Sequence, residues 1–451
     1  MANRVLVKSS EPSLIKQIDI VSNKDSKKIS SVVNGTVQLM YYESILQDSV
    51  RATVTFVDTG NAVKDDKGVA RTVLEGLPIV GQERVDVKFE DNNKNELTLA
   101  LYVNKVTPVY DDTTKGMVQL DLTSKEFIMN EKVRLNKRFD GKISDHIRKI
   151  LTDSVYLGTE KKVDIEETSN NYNFIGNNRK PYYAMNWLSK KAISASNQKK
   201  GDSAGYFFFE TSDGFKFKSI DGLLAQEKKK SIIYNQSPDS RGQNIPAGYD
   251  VKALDYAKDN SVDVQDKLQM GAFSTRTILF DPFNCFYEVI TPNAKEKEES
   301  LKLAGKELPV LNKEFDRGGK NKEFSRTTYY LLDKGTLPAG NTKQQIQKSK
   351  EENFEYKNIL NQSIMRYGQL FSMKTTITIP GDFSLHAGDV VFLDAPELSP
   401  ESDRVNKEYG GLYIIADLCH YISPKETFTK LNLVRDSFGR KGNHTSGKIP
   451  L

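Results

Sequence analysis

Apolar and polar residues alternate in short runs along both ends of the chain. Gly35 to Gly60 (GTVQLMYYESILQDSVRATVTFVDTG) holds two strands around a central YYESIL. In the second, Val50, Ala52, Val54 and Phe56 fall on one face and Arg51, Thr53 and Thr55 on the other, the period-two signature of a half-buried strand. Arg84 to Glu90 repeats it, with Val85, Val87 and Phe89 alternating against charged residues. A strand at Gln17 to Val21 and further strands at Leu97 to Val103 and Val118 to Leu122 complete a compact β-domain ending near Ser124, most simply a small barrel. Asn61 to Val73 reads as an exposed loop.

The period then changes. Ser144 is a candidate N-cap for DHIRKILTDSV, and Ile143, Ile147, Ile150 and Leu151 form one stripe. A second helix is predicted from Pro181 through Trp187 to Ser194, with proline in its first turn. Tyr206 to Glu210 and Phe215 to Ile220 flank Ser212, Asp213 and Gly214, an Asp-Gly hairpin signal. From Lys228 to Asn361 the pattern is least regular, with a strand at Thr275 to Asp281 and a helix from Glu352 to Gly368. The runs 294–321 and 333–347 read as surface insertions. A second β-domain runs from Phe371 to Phe438, followed by a polar tail.

Part of the pattern is written twice. Leu101, Tyr102, Leu120, Leu122 and Phe127 match Leu412, Tyr413, Leu431, Leu433 and Phe438 with one constant offset of 311 and no gap. Upstream, RATVTF at Arg51 to Phe56 matches KTTITI at Lys374 to Ile379, and a glycine then precedes an apolar strand in both halves, at Gly81 to Phe89 and Gly388 to Leu393. Two related β-domains in one chain follow. The expected division is 1–125 for the first; 126–227 for a helical segment and the aromatic hairpin, the latter a candidate to complete the second barrel; 228–361 for a peripheral insertion; 362–438 for the second barrel; and 439–451 for the tail.

A chain of 451 residues exceeds one ordinary core. Its longest apolar runs fall far short of the ~18 residues of a spanning helix, so no membrane insertion is expected. Two distant cysteines, Cys285 and Cys419, argue against a disulfide scaffold and a structural zinc site. The formal charge of +5 is the small difference between 65 basic and 60 acidic residues, and the short, scattered basic runs do not make a nucleic-acid-binding face.

No catalytic constellation stands out, and no cofactor or metal is expected. Gly318, Gly319 and Lys320 lack the first glycine of a phosphate loop, since Glu314 stands there, and the four histidines show no HExxH spacing. Cys419 and His420 are neighbours in a strand and point to opposite faces, which leaves Cys419 as a core residue. Gly381, Asp382, Gly388 and Asp389 read as turn geometry. Tyr41, Tyr42 and Glu43 form an exposed-looking motif and are the candidate interface, with ordinary strand aromatics as the competing reading.

Three stretches in order, YYESILQDSVRATVTFVDTG at 41–60, GYFFFETSDGFKFKSIDGLL at 205–224 and TITIPGDFSLHAGDVVFL at 376–393, resemble the baseplate hub protein of contractile-tailed bacteriophages, a family similar to the N-terminal hub part of type VI secretion spike proteins. The resemblance covers the chain outside 228–361. It implies a mainly β fold with α+β insertions, two tube-like β-barrel domains and helical or irregular peripheral segments. It also implies a structural virion protein: a homotrimer whose doubled barrels form a six-fold-like ring, joining the hexameric tail tube to a separate trimeric spike and lining the channel for genome ejection. Surrounding wedge proteins would be further partners, DNA would pass without specific binding along a wall free of a basic belt, and assembly would take place in the host cytoplasm. A tail-associated cell-wall hydrolase with paired carboxylates in 228–361, a carbohydrate-binding tail component, and the hub of a phage-tail-like injection machine are the alternatives.

Overall fold

The computed structural model describes residues 11–442 except 62, 65–67, 196–203, 235–244, 246–247, 259–263, 283–284, 292–300, 310–311, 313, 316–323, 334, 336–339, 351–352, 354–355 and 397–405. The first barrel is built from β1 (Leu14–Val21), β2 (Ile29–Ser31), β3 (Thr36–Ser44), β4 (Arg51–Asp58), β5 (Arg84–Glu90), β6 (Glu96–Asp111) and β7 (Gly116–Thr123). Hydrogen bonds link them in the order β3-β4-β7-β6-β5-β1-β2. The predicted alternation decides the inner face: Val50, Ala52, Val54 and Phe56 are all buried. Each fully buried side chain contributes roughly 1.5–3 kcal/mol, and a one-residue slip would turn the whole set outward.

Both ends of this ladder feed one core, which holds Ile18 and Ile20 of β1 together with Leu39 and Tyr41 of β3. The sheet is therefore curled, and one continuous segment serves both of its edges. At β2 the segment pairs with β1, and the Val32 amide donates to the Ile18 carbonyl at 3.0 Å. It then passes a single turn at Val33–Gly35 and enters β3, where Thr36 faces Phe56 of β4. Gly35 makes that crossing possible, because a Cβ there would lie 2.4 Å from the Val57 carbonyl oxygen.

Helices α1 (Lys125–Lys132), α2 (Ile143–Thr152) and α3 (Pro181–Ser189), strand β8 (Val163–Ile165) and the hairpin β9 (Tyr206–Thr211) and β10 (Gly214–Ser219) form the middle region. The stripe Ile143, Ile147, Ile150 and Leu151 is fully buried. The cap differs from expectation. Lys142 holds the N-cap position, and Ser144 lies inside the first turn with its amide donating to Thr168 Oγ1 at 3.0 Å. The aromatic hairpin pairs with β8 in a separate three-stranded sheet rather than completing the second barrel. Tyr206 and Phe208 enter the helical core while Phe207 and Phe209 enter a core shared with the second barrel. Burial of both faces explains the unbroken apolar run.

The second barrel starts earlier than predicted, at β11 (Lys230–Ile233), β12 (Val251–Lys252) and β13 (Asp255–Lys258). The chain leaves it for a small sheet of β14 (Thr275–Asp281), β15 (Phe286–Ile290) and β16 (Arg326–Leu331) and for α4 (Tyr356–Leu370). It returns through β17 (Met373–Pro380), β18 (Val390–Asp394), β19 (Gly411–Ile422) and β20 (Thr427–Arg435). The stretches 230–233 and 251–258, assigned by sequence to the peripheral segment, are barrel strands: β12 pairs with β11, and β13 with β17. A single segment again serves both edges. Part of the charged run 294–321 lies outside the described residues, but Ala304 and Leu308 are buried and Phe438 bonds to Lys306 and Glu307. The tail begins anchored too, with Arg440 paired to Asp394 at 3.0 Å.

The repeat extends to the whole barrel. Strands β4-β7-β6-β5 and β17-β20-β19-β18 follow the same pairing order, all antiparallel. Both long hairpins carry a bulge at the same rung: Leu122 faces Val103 and Asp121 faces Lys105, as Leu433 faces Ile415 and Asn432 faces Asp417. The constant offset needs one correction, since it is 311 along the returning strand and becomes 312 along the outgoing one. The first strand departs from the repeat: β1 runs antiparallel to β5, whereas β11 runs parallel to β18.

Gly35→Ala should lower the free energy of unfolding by about 1–3 kcal/mol, read by chemical denaturation.

Candidate functional site: the joint between the barrels

The outer edge of β3 does not end at solvent. Leu39 to Ser44 pair antiparallel with Ile422 to Asp417 of β19, placing Tyr41 opposite His420 and Glu43 opposite Leu418. The Ile45 amide extends the ladder to the Ala416 carbonyl at 2.9 Å, and Ser44 Oγ donates to Asp417 Oδ1 at 2.5 Å. One sheet thus runs through both barrels. Two side contacts fix its angle: Asp91, in the β5–β6 turn, accepts from the Phe383 amide at 2.9 Å, and the Ser13 amide donates to Thr427 Oγ1 at 2.9 Å.

Strand alternation splits the candidate motif. Tyr41 and Glu43 point inward at 0% and 2% exposure, while Tyr42 points outward at 38%. The expected exposure therefore holds for Tyr42 alone. Tyr41 stacks on His420 with ring centroids 6.1 Å apart and donates its hydroxyl to Glu43 Oε1 at 2.9 Å. Glu43 also accepts from the Ser212 amide at 2.7 Å, the Ala387 amide at 2.9 Å and His386 Nδ1 at 3.3 Å. These donors come from β3 itself, the aromatic hairpin and the loop before β18, so one carboxylate ties three segments.

Burial by itself would raise the Glu43 carboxyl, yet the His386 ring and the two amides outweigh it and hold it at about 2. The reciprocal effect acts on His386. Burial lowers its basicity, and the Glu43 carboxylate, aided by Asp213 and Asp389, more than restores it, so the ring lies above its ordinary 6.5. A charged pair with this many donors avoids the penalty of a lone buried ion.

Ser212 Oγ lies 3.2 Å from His386 Nδ1, and Asp213 Oδ2 lies 3.3 Å from Nε2. The residue types match a hydrolytic triad, but the surroundings of the ring do not. Nδ1, the nitrogen nearest the serine hydroxyl, also faces the buried Glu43 carboxylate at 3.3 Å, and Asp213 faces the other nitrogen, so both nitrogens lie against carboxylates and neither is reserved for the serine proton. The set acts as a clamp. Cys419 and His420 do face opposite ways, yet Cys419 is half-buried beside Tyr42 rather than a core residue. Gly388, at φ +86°, and Asp389, accepting from the His386 amide at 3.0 Å, make a turn as expected, as does Asp382, which accepts from the Ser384 amide at 3.0 Å.

Two further buried clusters bind the middle region to the joint. Glu210 accepts from the Val50 amide at 3.1 Å, and Lys161 bridges Glu210 at 2.6 Å and Glu126 at 2.7 Å. On α4, Arg366 pairs with Asp436 at 2.5 Å and Asp221 at 2.8 Å. Among the described residues, no group of three His, Cys, Asp or Glu could hold a metal. Sequence reasoning missed Ser212, Asp213, His386 and Asp91, which lie in turns and loops and reveal their partners only in the fold.

Glu43→Gln should cost about 1–3 kcal/mol through donors left poorly matched. The pH profile carries the sign. The His386 contribution is whole below its ordinary 6.5 and is lost as pH rises through its raised value; the Glu43 contribution is whole above 4.5 and is lost as pH falls toward about 2. Thermal melts of His386→Gln against the parent should differ most between pH 4.5 and 6.5.

No protein-family profile matches the chain. It is 22% identical over 420 residues to the probable baseplate hub protein gp334 of Vibrio phage KVP40, covering 90% of this chain and 91% of that one. In fold it is similar to the 43 kDa tail protein of prophage MuSo2 from Shewanella oneidensis (TM-score 0.50, 10% identity, 93% of this chain and 98% of that one). It is likewise similar to a tail protein from Neisseria meningitidis MC58 (TM-score 0.51, 8% identity, 93% and 96%). The expected resemblance to a baseplate hub protein holds along nearly the whole chain, and the fold is that of the two tail proteins.

Proposed function

We propose that this chain is the central hub of a phage baseplate and that it acts as a non-enzymatic homotrimer. Three copies of a doubled barrel present six similar barrels, so one ring meets a hexameric tail tube on one side and a trimeric spike on the other. The observation that carries this reading is the internal repeat joined edge to edge by β3 and β19. A chain that already bonds two barrels into one sheet contains the repeating step of such a ring.

In this mechanism the hub adapts symmetry and guides the genome. The barrels line the channel, which needs no basic belt because DNA passes without specific binding. The middle region and the small sheet β14–β16 lie outside the repeat and serve as contacts for the surrounding wedge proteins. Tyr42, on the outer face of the joint, is a contact for a neighbouring baseplate component. Assembly takes place in the host cytoplasm before the hub enters the virion.

Light scattering on the purified chain, with and without the spike protein, should give the mass of a trimer, and negative-stain images should show a ring with an open centre. A chain that remains monomeric with the spike protein present would overturn the proposal.

A further inference from the structure

The two barrels are not equally covered. In the second, the outer half of β19 is paired on one side with β20 and on the other with β3, and Ile422 is 0% exposed. In the first, the matching half of β6 pairs with β7 alone among the described residues, because β5 leaves it at Tyr102. Shared partners fix the equivalence: Val106 faces Leu120 as Leu418 faces Leu431, and Tyr110 faces Met117 as Tyr421 faces Phe428. Val109 and Tyr110 are each 52% exposed. An exposed strand edge carrying large apolar side chains is a template for another strand.

The missing strand has a counterpart in the chain. β13 occupies in the second barrel the place of β3 in the first, since Tyr256 faces Ile377 of β17 as Leu39 faces Val54 of β4. Its other edge has no partner strand among the described residues, and Asp255, Ala257 and Lys258 are exposed. We infer that β13 of one copy adds to the outer half of β6 of a second copy, in the register that β3 takes on β19. Met40 faces Tyr421 within the chain, so Ala257 faces Tyr110 between chains. The contact is head-to-tail and repeats the internal joint, and such a contact closes into a ring when its rotation permits. Main-chain bonds supply affinity and side chains set the register. Pro108, at the rung of His420, has no amide to donate and blunts the edge against unspecific pairing. The pairing follows from the internal repeat; only the number of copies rests on the hub reading.

Cysteine cross-linking tests the register. In a Cys285→Ser, Cys419→Ser background, Ala257→Cys and Tyr110→Cys chains are mixed, oxidised and run without reductant. A covalent dimer should be the main product of the mixture and absent from either variant alone. Ala257→Cys mixed with Lys115→Cys, at the tip of the same hairpin, should give none. Equal linking in both mixtures, or linking in neither, overturns the inference. Hydrogen exchange on the unmodified protein gives an independent reading: amides in 105–111 should be protected in the assembly, and fast exchange there contradicts the pairing. A trimer with neither link nor protection would refute this pairing and leave the hub reading standing; a persistent monomer would refute both.

Discussion

Everything in this chain depends on how strand edges are satisfied. A curled sheet leaves two edges with unpaired amides and carbonyls, and both halves solve the problem in the same way. One segment is bent midway so that its first part bonds to one edge and its second part to the other. Closing a barrel this way creates a new edge on the far side of the bent segment. In the first barrel that edge is consumed by β19. The joint between the barrels is thus a consequence of closure, and the aromatic hairpin, Asp91 and the buried ion clusters secure a contact that the backbone has already specified.

The repeat was legible where side chains alternate strictly. Leu120 and Leu122 against Leu431 and Leu433, and RATVTF against KTTITI, lie on strands whose inner faces must be apolar, so selection of the same faces leaves a matching pattern. The bulges broke it. The extra residue at Asn104 recurs at Ala416, but Val109 is a further bulge found in the first hairpin alone, and from there the outgoing strands drift by one position relative to the returning ones. The short strands of the second barrel were illegible for another reason. Val251–Lys252 and Asp255–Lys258 have two and four residues, too few for periodicity, and β17, the partner of the second, begins more than a hundred residues later. Polar turns hid the clamp, since Ser212, Asp213, His386 and Asp91 suit a turn whether or not they reach another segment.

The reversed first strand shows which parts of the barrel carry the pattern. β1 and β11 occupy the same edge with opposite directions relative to their neighbours. A strand at that edge needs only to place alternate apolar residues inward and to offer main-chain bonds, and both directions satisfy this, with parallel pairing slightly weaker. The other staves are held more tightly because the antiparallel hairpins β6–β7 and β19–β20 set each other's register. The chain's path into the second barrel, arriving from the aromatic hairpin, is therefore free to choose the direction of β11 without disturbing the joint.

A carboxylate sits at the centre of the joint, where an apolar side chain would cost less to bury. An apolar contact between barrels tolerates sliding and rotation, because packing against leucine or valine is nearly indifferent to angle. Glu43 is not indifferent. Its oxygens are satisfied only when Tyr41, Ser212, Ala387 and His386 converge at 2.7–3.3 Å, and these donors sit on three segments. Turning one barrel against the other would strand a buried charge, at a cost far above a misplaced methyl group. A buried ionic cluster thus converts a sheet, which is free to twist, into a joint with one preferred angle. In an assembly whose closure depends on repeating that angle, the specificity is worth more than the stability that an apolar replacement would add.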